Sequence, residues 1–333
     1  MIESGVKLSI VITSYNASEY LPEAIESCLN KDFNFKYEII IVDDGSSDGS
    51  IAIIKKYYDE YKGIIRYHIV ERNGVDIKTV IPSIRVSNNM KYAFGIANGE
   101  YIICLSGDDV FSDNDAISRF VEYLDNNQDK VACYGDFTLF WNDGKEKKIV
   151  NNFTPGRLLF WASEYVHISS FLFRKICTKY LLDRFCDDTG MTYSIIYAGR
   201  IGYIKQEVFK YRQRDGSIVH NSDKVELNIT ELMLFQDILN FKKYYWSSLC
   251  RMHHPIAILF KKKDELDKKR YSKYLLNCEN YANNILCNFF EYNRLSIGQR
   301  VKLRGLVLAA YASCYYHFVF RKARNLVYKI FGR

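Results

Sequence analysis

Four short, mainly apolar runs recur along the first 110 residues, and what separates them decides the fold. They are KLSIVIT (7–13), YEIIIVD (37–43), IIRYHIV (64–70) and EYIICLS (100–106). Their length and β-branched content mark them as buried strands. Helical periods lie between them. Ser18 to Asn30 places Tyr20, Leu21, Ala24, Ile25, Cys28 and Leu29 on one side, with Pro22 early enough for a first turn. IAIIKKYYDEY follows the second run, and the connection before the fourth ends helically. Asp113 to Leu124 reads as a helix with Ser112 as its N-cap. Strands alternating with helices predict an α/β domain with a mostly parallel sheet covered on both faces.

In such sheets ligands bind beyond the carboxyl ends of the strands. Three polar clusters fall there: TSYN (13–16), DDGSSDGS (43–50) and SGDD (106–109). DDGSSDGS suits a turn and a helix cap. Its carboxylates can also accept hydrogen bonds from a base N–H or a ribose hydroxyl, and Tyr15 can stack on a flat ring. Neither GxGxxG nor GxxxxGK[ST] is present, so the dinucleotide fingerprint and the P-loop are both absent. In SGDD, Asp108 and Asp109 repel one another unless a cation intervenes. Mn²⁺ or Mg²⁺ favours carboxylate oxygens and bridges to phosphates, which predicts a metal clamp on a diphosphate. Gly107 lets the backbone approach a ligand closely.

SIVITSYN, EIIIVDDGSSDGS and ANGEYIICLSGDD, in that order, resemble the inverting family 2 glycosyltransferases of GT-A fold found in bacterial surface-polysaccharide synthesis. The resemblance continues more weakly to about His220 through FLFRK (171–175), CDD (186–188) and YRQRDGS (211–217), the last read as a turn. It implies that Thr13, Tyr15, Asp43, Asp44, Ser106 and Gly107 hold the donor nucleotide, and that Asp108, with Asp109 beside it, binds the metal. Ser106 stands where the family has the first acid of D-x-D. Asp188, followed at the family spacing by Gly199, is implied to be the catalytic base, with Asp187 replacing the preceding Glu. Arg212, Arg214 and His220 are implied on the diphosphate, and His167 on the acceptor side. Lys91 reads as a solvated helix residue. The expected reaction moves a sugar, from a UDP-hexose or UDP-N-acetylhexosamine, to a glycan hydroxyl in O-antigen, capsule or lipooligosaccharide synthesis. A sugar nucleotidyltransferase is the alternative from the same fold class, although TSYNASEY lacks its glycine- and arginine-rich loop. A membrane- or nucleic-acid-binding protein without catalysis is another.

Charge divides the chain. Nine of the 46 Lys and Arg, and none of the 39 Asp and Glu, lie from Tyr292 to Arg333. From about Lys224 onward the pattern is helical and rich in Tyr, Lys and Asn, so residues 1–220 read as the catalytic domain the resemblance implies, and 221–333 as a helical C-terminal region with a basic tail. GLVLAAYASCYYHFVF (305–320) is flanked by cations. As a helix it is about 24 Å long, short of the ~30 Å hydrocarbon core. It predicts attachment to an anionic membrane surface, near a lipid-linked acceptor on the cytoplasmic face. No nucleic-acid motif accompanies the charges, so nucleic acid is not an expected partner. The chain has nine cysteines and no C-x-x-C pair, which predicts reduced thiols in a cytoplasmic protein.

Overall fold

The computed structural model describes residues 5–29, 33–71, 80, 82–112, 114–151, 167–181 and 188–214. The chain divides into two compact units, Met1–Glu226 and Leu227–Arg333, and every described residue belongs to the first. Asp187, His220, the C-terminal region and its tail lie outside the described residues.

The elements follow the predicted alternation: β1 (Val6–Ser14), α1 (Leu21–Cys28), β2 (Lys36–Asp43), α2 (Ser50–Glu60), β3 (Ile65–Ile69), α3 (Pro82–Ile96) and β4 (Tyr101–Ser106). After these come β5 (Val110–Phe111), α4 (Asn114–Asn126), β6 (Lys130–Trp141), β7 (Glu146–Ile149), β8 (Phe171–Arg174), α5 (Asp188–Ala198) and β9 (Arg200–Gln213). The sheet runs β3-β2-β1-β4-β8-β6-β9-β5, with β7 beside β6. Pairings among β3, β2, β1 and β4 are all parallel. Beyond β4 the sheet is mixed: β8 is antiparallel to both β4 and β6, whereas β6 and β9 run parallel. The parallel expectation thus describes the first half of the sheet.

Both faces of that half are buried. Leu8, Ile10, Ile12, Ile39 and Ile41 join a core with Leu21 and Ile25 of α1, Ile54 of α2, and Phe120 and Leu124 of α4. The alternate residues Val11, Ile40 and Val42 are buried too, on the other side of the pleat, and α3 packs on β1 and β2. A polar knot ties the edges. Buried Glu38 accepts from Ser9 Oγ (2.7 Å), Arg66 Nη1 (2.9 Å) and both nitrogens of Asn98 (2.6 and 3.1 Å). Gly99 follows and donates its N–H to Ser9 Oγ at 2.8 Å. A Cβ on Gly99 would lie 2.4 Å from the Ser9 backbone nitrogen, so the chain's A-N-G-E stretch needs glycine for that approach.

Two local expectations change. Ser112 does not cap α4: its hydroxyl is buried with no hydrogen-bond partner among the described residues. Tyr211–Gln213, read as a turn, complete β9, because Arg212 and Gln213 pair with Phe140 and Trp141 of β6. The four described cysteines, Cys28, Cys104, Cys133 and Cys177, are buried free thiols, as expected.

Candidate active site

The strand order places β1 between β2 and β4, the point at which the chain's connections reverse direction across the sheet. Register then sets the three polar clusters side by side. Ser14 lies opposite Asp43, and Thr13 lies opposite Ser106. Gly107 N donates to Thr13 O and Asp44 N to Ser14 O, each at 2.8 Å.

The loops after β1 and β2 are laced together. Asn16 N donates to Ser46 Oγ, Ala17 N to Ser50 Oγ, Ser18 N to Asp48 Oδ2 and Ser47 N to Asn16 Oδ1, all within 3.0 Å. Two left-handed residues allow this, Asn16 (φ 45°) and Gly45 (φ 69°), and Asn and Gly are the residues that adopt that region most readily. Burial would raise the Asp48 carboxyl, but bonds from Ser50 and Ser18 outweigh it and lower it to about 2. Asp43 has no exposed surface, and its two oxygens take the Ser46 N–H and hydroxyl at 2.7 Å. It shapes the loop. Asp44 instead meets Arg85 of α3, whose Nη1 lies 3.3 Å from Asp44 Oδ2. The same guanidinium lies 4.7 Å over the Tyr15 ring, and its buried Nε and Nη1 lack hydrogen-bond partners among the described residues.

The SGDD loop is held by β9. Arg212 N donates to Asp109 Oδ1 and Arg212 Nε to Asp108 O, both at 2.9 Å. The Arg212 guanidinium also reaches Glu23 Oε2 (2.5 Å) and Asn142 Oδ1 (3.3 Å). It lies between the rings of Tyr20 (4.7 Å) and Phe140 (4.4 Å) and is 7% exposed. A guanidinium so occupied buttresses the loop. Arg214, just past β9, behaves differently: its Nε donates to Asp108 Oδ2 at 2.8 Å, and the pair is partly exposed.

Asp188 begins α5, where a carboxylate suits the positive end of the helix. Its Oδ1 accepts from Ile168 N at 3.2 Å. His167 Nε2 stands 3.8 Å from Asp188 Oδ2, while His167 Nδ1 accepts the Ser169 N–H at 3.3 Å. A neutral His167 therefore carries its proton on Nε2, facing Asp188. Its ring packs against Phe209 and Tyr211. The acids feel one another. Burial, then the charge of Asp108, raises the Asp109 carboxyl well above its usual range, with Asp188 adding to the shift against the Arg212 N–H. Burial and the charges of Asp109, Asp188 and Asp108 likewise push the Tyr211 hydroxyl up. The structure thus brings Asp188 and His167 to the same place as SGDD and Arg214. A cavity of about 560 Å³ lies elsewhere, at the amino ends of β1 and β4, and takes in none of these residues.

The family pattern described as "Glycosyl transferase family 2" matches residues 9–181, more than half of the chain. The chain belongs to glycosyl transferase family 2. The match takes in all three strand-end clusters and stops short of Asp188. This family 2 protein is 32% identical over 137 residues to an uncharacterized protein of Mycobacterium tuberculosis, covering 41% of this chain and 37% of the relative. It is 28% identical over 233 residues to the minor teichoic acid biosynthesis protein GgaB of Bacillus subtilis, 66% of this chain and 24% of GgaB. The chain therefore spans well under half the length of these curated relatives. Its fold resembles that of S. aureus TarS 1–349, solved in complex with UDP-GlcNAc, with a TM-score of 0.60 over 94% of this chain and 91% of that one, at 14% identity. That likeness establishes the GT-A fold.

Sequence reasoning missed Arg85. It sits in a helix whose pattern gave no hint of Asp44, and only the packing of α3 on β1 and β2 joins them. The signal available was an arginine on a helix adjoining the strand ends, too common to single out.

Proposed function

We infer that this family 2 protein is a glycosyltransferase that moves a sugar from a nucleoside diphosphate donor to a hydroxyl of a cell-surface glycan, inverting the anomeric carbon. The observation that carries the reading is the arrival of Asp188, with His167, at the end of the sheet already occupied by TSYN, DDGSS and SGDD. Donor and acceptor chemistry then share one place. Tyr15, Asp44 and Arg85 would take the base and ribose. Asp44 offers an acceptor, and Arg85 has donors left over for base carbonyls or phosphate. Ser106, at the same strand end, would take the ribose.

A divalent cation suits Asp108. Mg²⁺ and Mn²⁺ commonly bind through one or two carboxylates plus substrate phosphates. No set of three His, Cys, Asp or Glu among the described residues could hold such an ion alone. Asp108 would therefore hold it together with the donor. When bound, it offsets charge on the leaving diphosphate. Asp188 takes the acceptor proton as that oxygen attacks the anomeric carbon and the bond to the diphosphate breaks. His167 has one nitrogen bonded to backbone and the other protonated toward Asp188. It is therefore poorly set to accept a proton itself and well set to position the base.

Family membership and the GgaB likeness favour a cell-wall glycan. The UDP-GlcNAc of TarS favours a UDP-N-acetylhexosamine donor, with a UDP-hexose next. The cytoplasmic, membrane-surface placement read from the basic tail stays part of this proposal, and sedimentation of the full chain with anionic vesicles tests it. The central test is a hydrolysis and transfer panel of UDP-glucose, UDP-galactose and their N-acetyl forms with Mn²⁺. Asp188→Asn should bind UDP normally and lose roughly two to four orders of magnitude in turnover, the usual range for a lost general base. Near-normal turnover of that variant beside a crippled Asp187→Asn would move the base one residue back.

A further inference from the structure

We propose that Arg214 is a resident counterion of Asp108, keeping a divalent cation off that carboxylate until a nucleoside diphosphate arrives, so that cation and donor load as a pair. The inference rests on the reading of Asp108 as the cation's carboxylate. Asp108 Oδ2 is engaged by Arg214 Nε in a 2.8 Å charge-assisted hydrogen bond. The guanidinium is steadied at this position by the Tyr20 ring, 5.3 Å from its carbon.

The remaining donors offer a lone cation little. Asp109 is fully buried, with Oδ1 on the Arg212 N–H. Ser106 is neutral. An arginine is always charged and offers no lone pair, so Arg214 can compete with a cation for Asp108 but never help to bind it. A cation arriving alone meets a carboxylate already neutralised by Arg214, and must either displace the guanidinium or sit beside it. A diphosphate changes both sides of that exchange. It supplies the cation with oxygen ligands, and it gives Arg214 phosphate oxygens that match its planar fork. The arginine then passes from one anion to another, and no charge is left unpaired in a partly buried site.

The test uses the full chain, Mn²⁺ and UDP, with free Mn²⁺ followed by its electron paramagnetic resonance signal. The wild-type protein should bind Mn²⁺ weakly alone and markedly more tightly with UDP. Arg214→Gln should bind Mn²⁺ alone about tenfold more tightly than wild type. That is a modest value for removing a charge-assisted competitor, because the pair is partly exposed. Its affinity should also respond less to UDP. Arg214→His, checked like the first variant by circular dichroism, should behave the same way or more strongly. Adding Asp108→Asn to Arg214→Gln should erase the gain; a gain that survives puts the cation elsewhere and overturns the proposal. Unchanged Mn²⁺ affinity in both Arg214 variants, with UDP and Mn²⁺ still binding together to wild type, defeats the proposal alone. Failure of wild type to bind UDP at all defeats the donor-site reading and takes the proposal with it.

Discussion

Replacing Arg212 by lysine asks whether its guanidinium belongs to the protein or to a ligand. The side chain is 7% exposed and bonds the carbonyl of Asp108. Lysine keeps the charge but has no planar fork and stacks poorly. Losing the bond to Asp108 O costs about 1–1.5 kcal/mol. Losing the sandwich between Tyr20 and Phe140 costs about 1–2 kcal/mol for a desolvated cation. The pair with Glu23 adds well under 1 kcal/mol, because Glu23 is 60% exposed. The sum is about 3 kcal/mol. With a urea slope near 3 kcal/mol/M, the unfolding midpoint should fall by about 1 M. Equilibrium urea unfolding followed by circular dichroism measures this directly. UDP affinity should fall as well, because the SGDD loop loses its anchor. An unchanged midpoint together with lost UDP binding would refute the argument. The guanidinium would then be free in solution and act on the phosphates.

Two further outcomes are expected. Gly99→Ala places a Cβ 2.4 Å from the backbone nitrogen of Ser9, where only main chain could yield, and should cost about 3 kcal/mol or more, read as a large fall in melting temperature or loss of soluble protein. Burial tends to raise the Glu38 carboxyl, but hydrogen bonds from Asn98, Ser9 and Arg66 outweigh it and hold it below 4.5. An acid lowered in the folded state stabilises fully above its unfolded value and loses that contribution as pH falls through the folded one. Wild-type stability should therefore drop below pH 4.5, and Glu38→Gln should be less stable at pH 7 with a flatter acid limb in the same urea assay.

Much of the strand-end architecture was legible because its signals are local. A run such as EIIIVDDGSSDGS states both a buried strand and the loop at its end, and parallel register does the rest by setting Thr13 beside Ser106 and Ser14 beside Asp43. The second half of the sheet was less legible. β9 pairs with β6 through three register shifts, and no periodicity encodes which strand a given run will choose. The arginines make the same point. Arg212 and Arg214 are two residues apart and look alike in sequence, yet Arg212 packs among Tyr20, Phe140 and Glu23 while Arg214, just past the end of β9, pairs with the Asp108 carboxylate. Partners so distant in sequence leave no local trace.

The lacing of the loops after β1 and β2 has a consequence for how donors are told apart. These main-chain groups are already bonded to one another, so this part of the proposed donor site would lose little conformational freedom on binding. A stiff seat cannot remould itself around a poor fit. It discriminates by rejection, leaving a wrong base with a clash or with dehydrated groups that find no partner. Tolerance for alternative nucleotides should then be narrow.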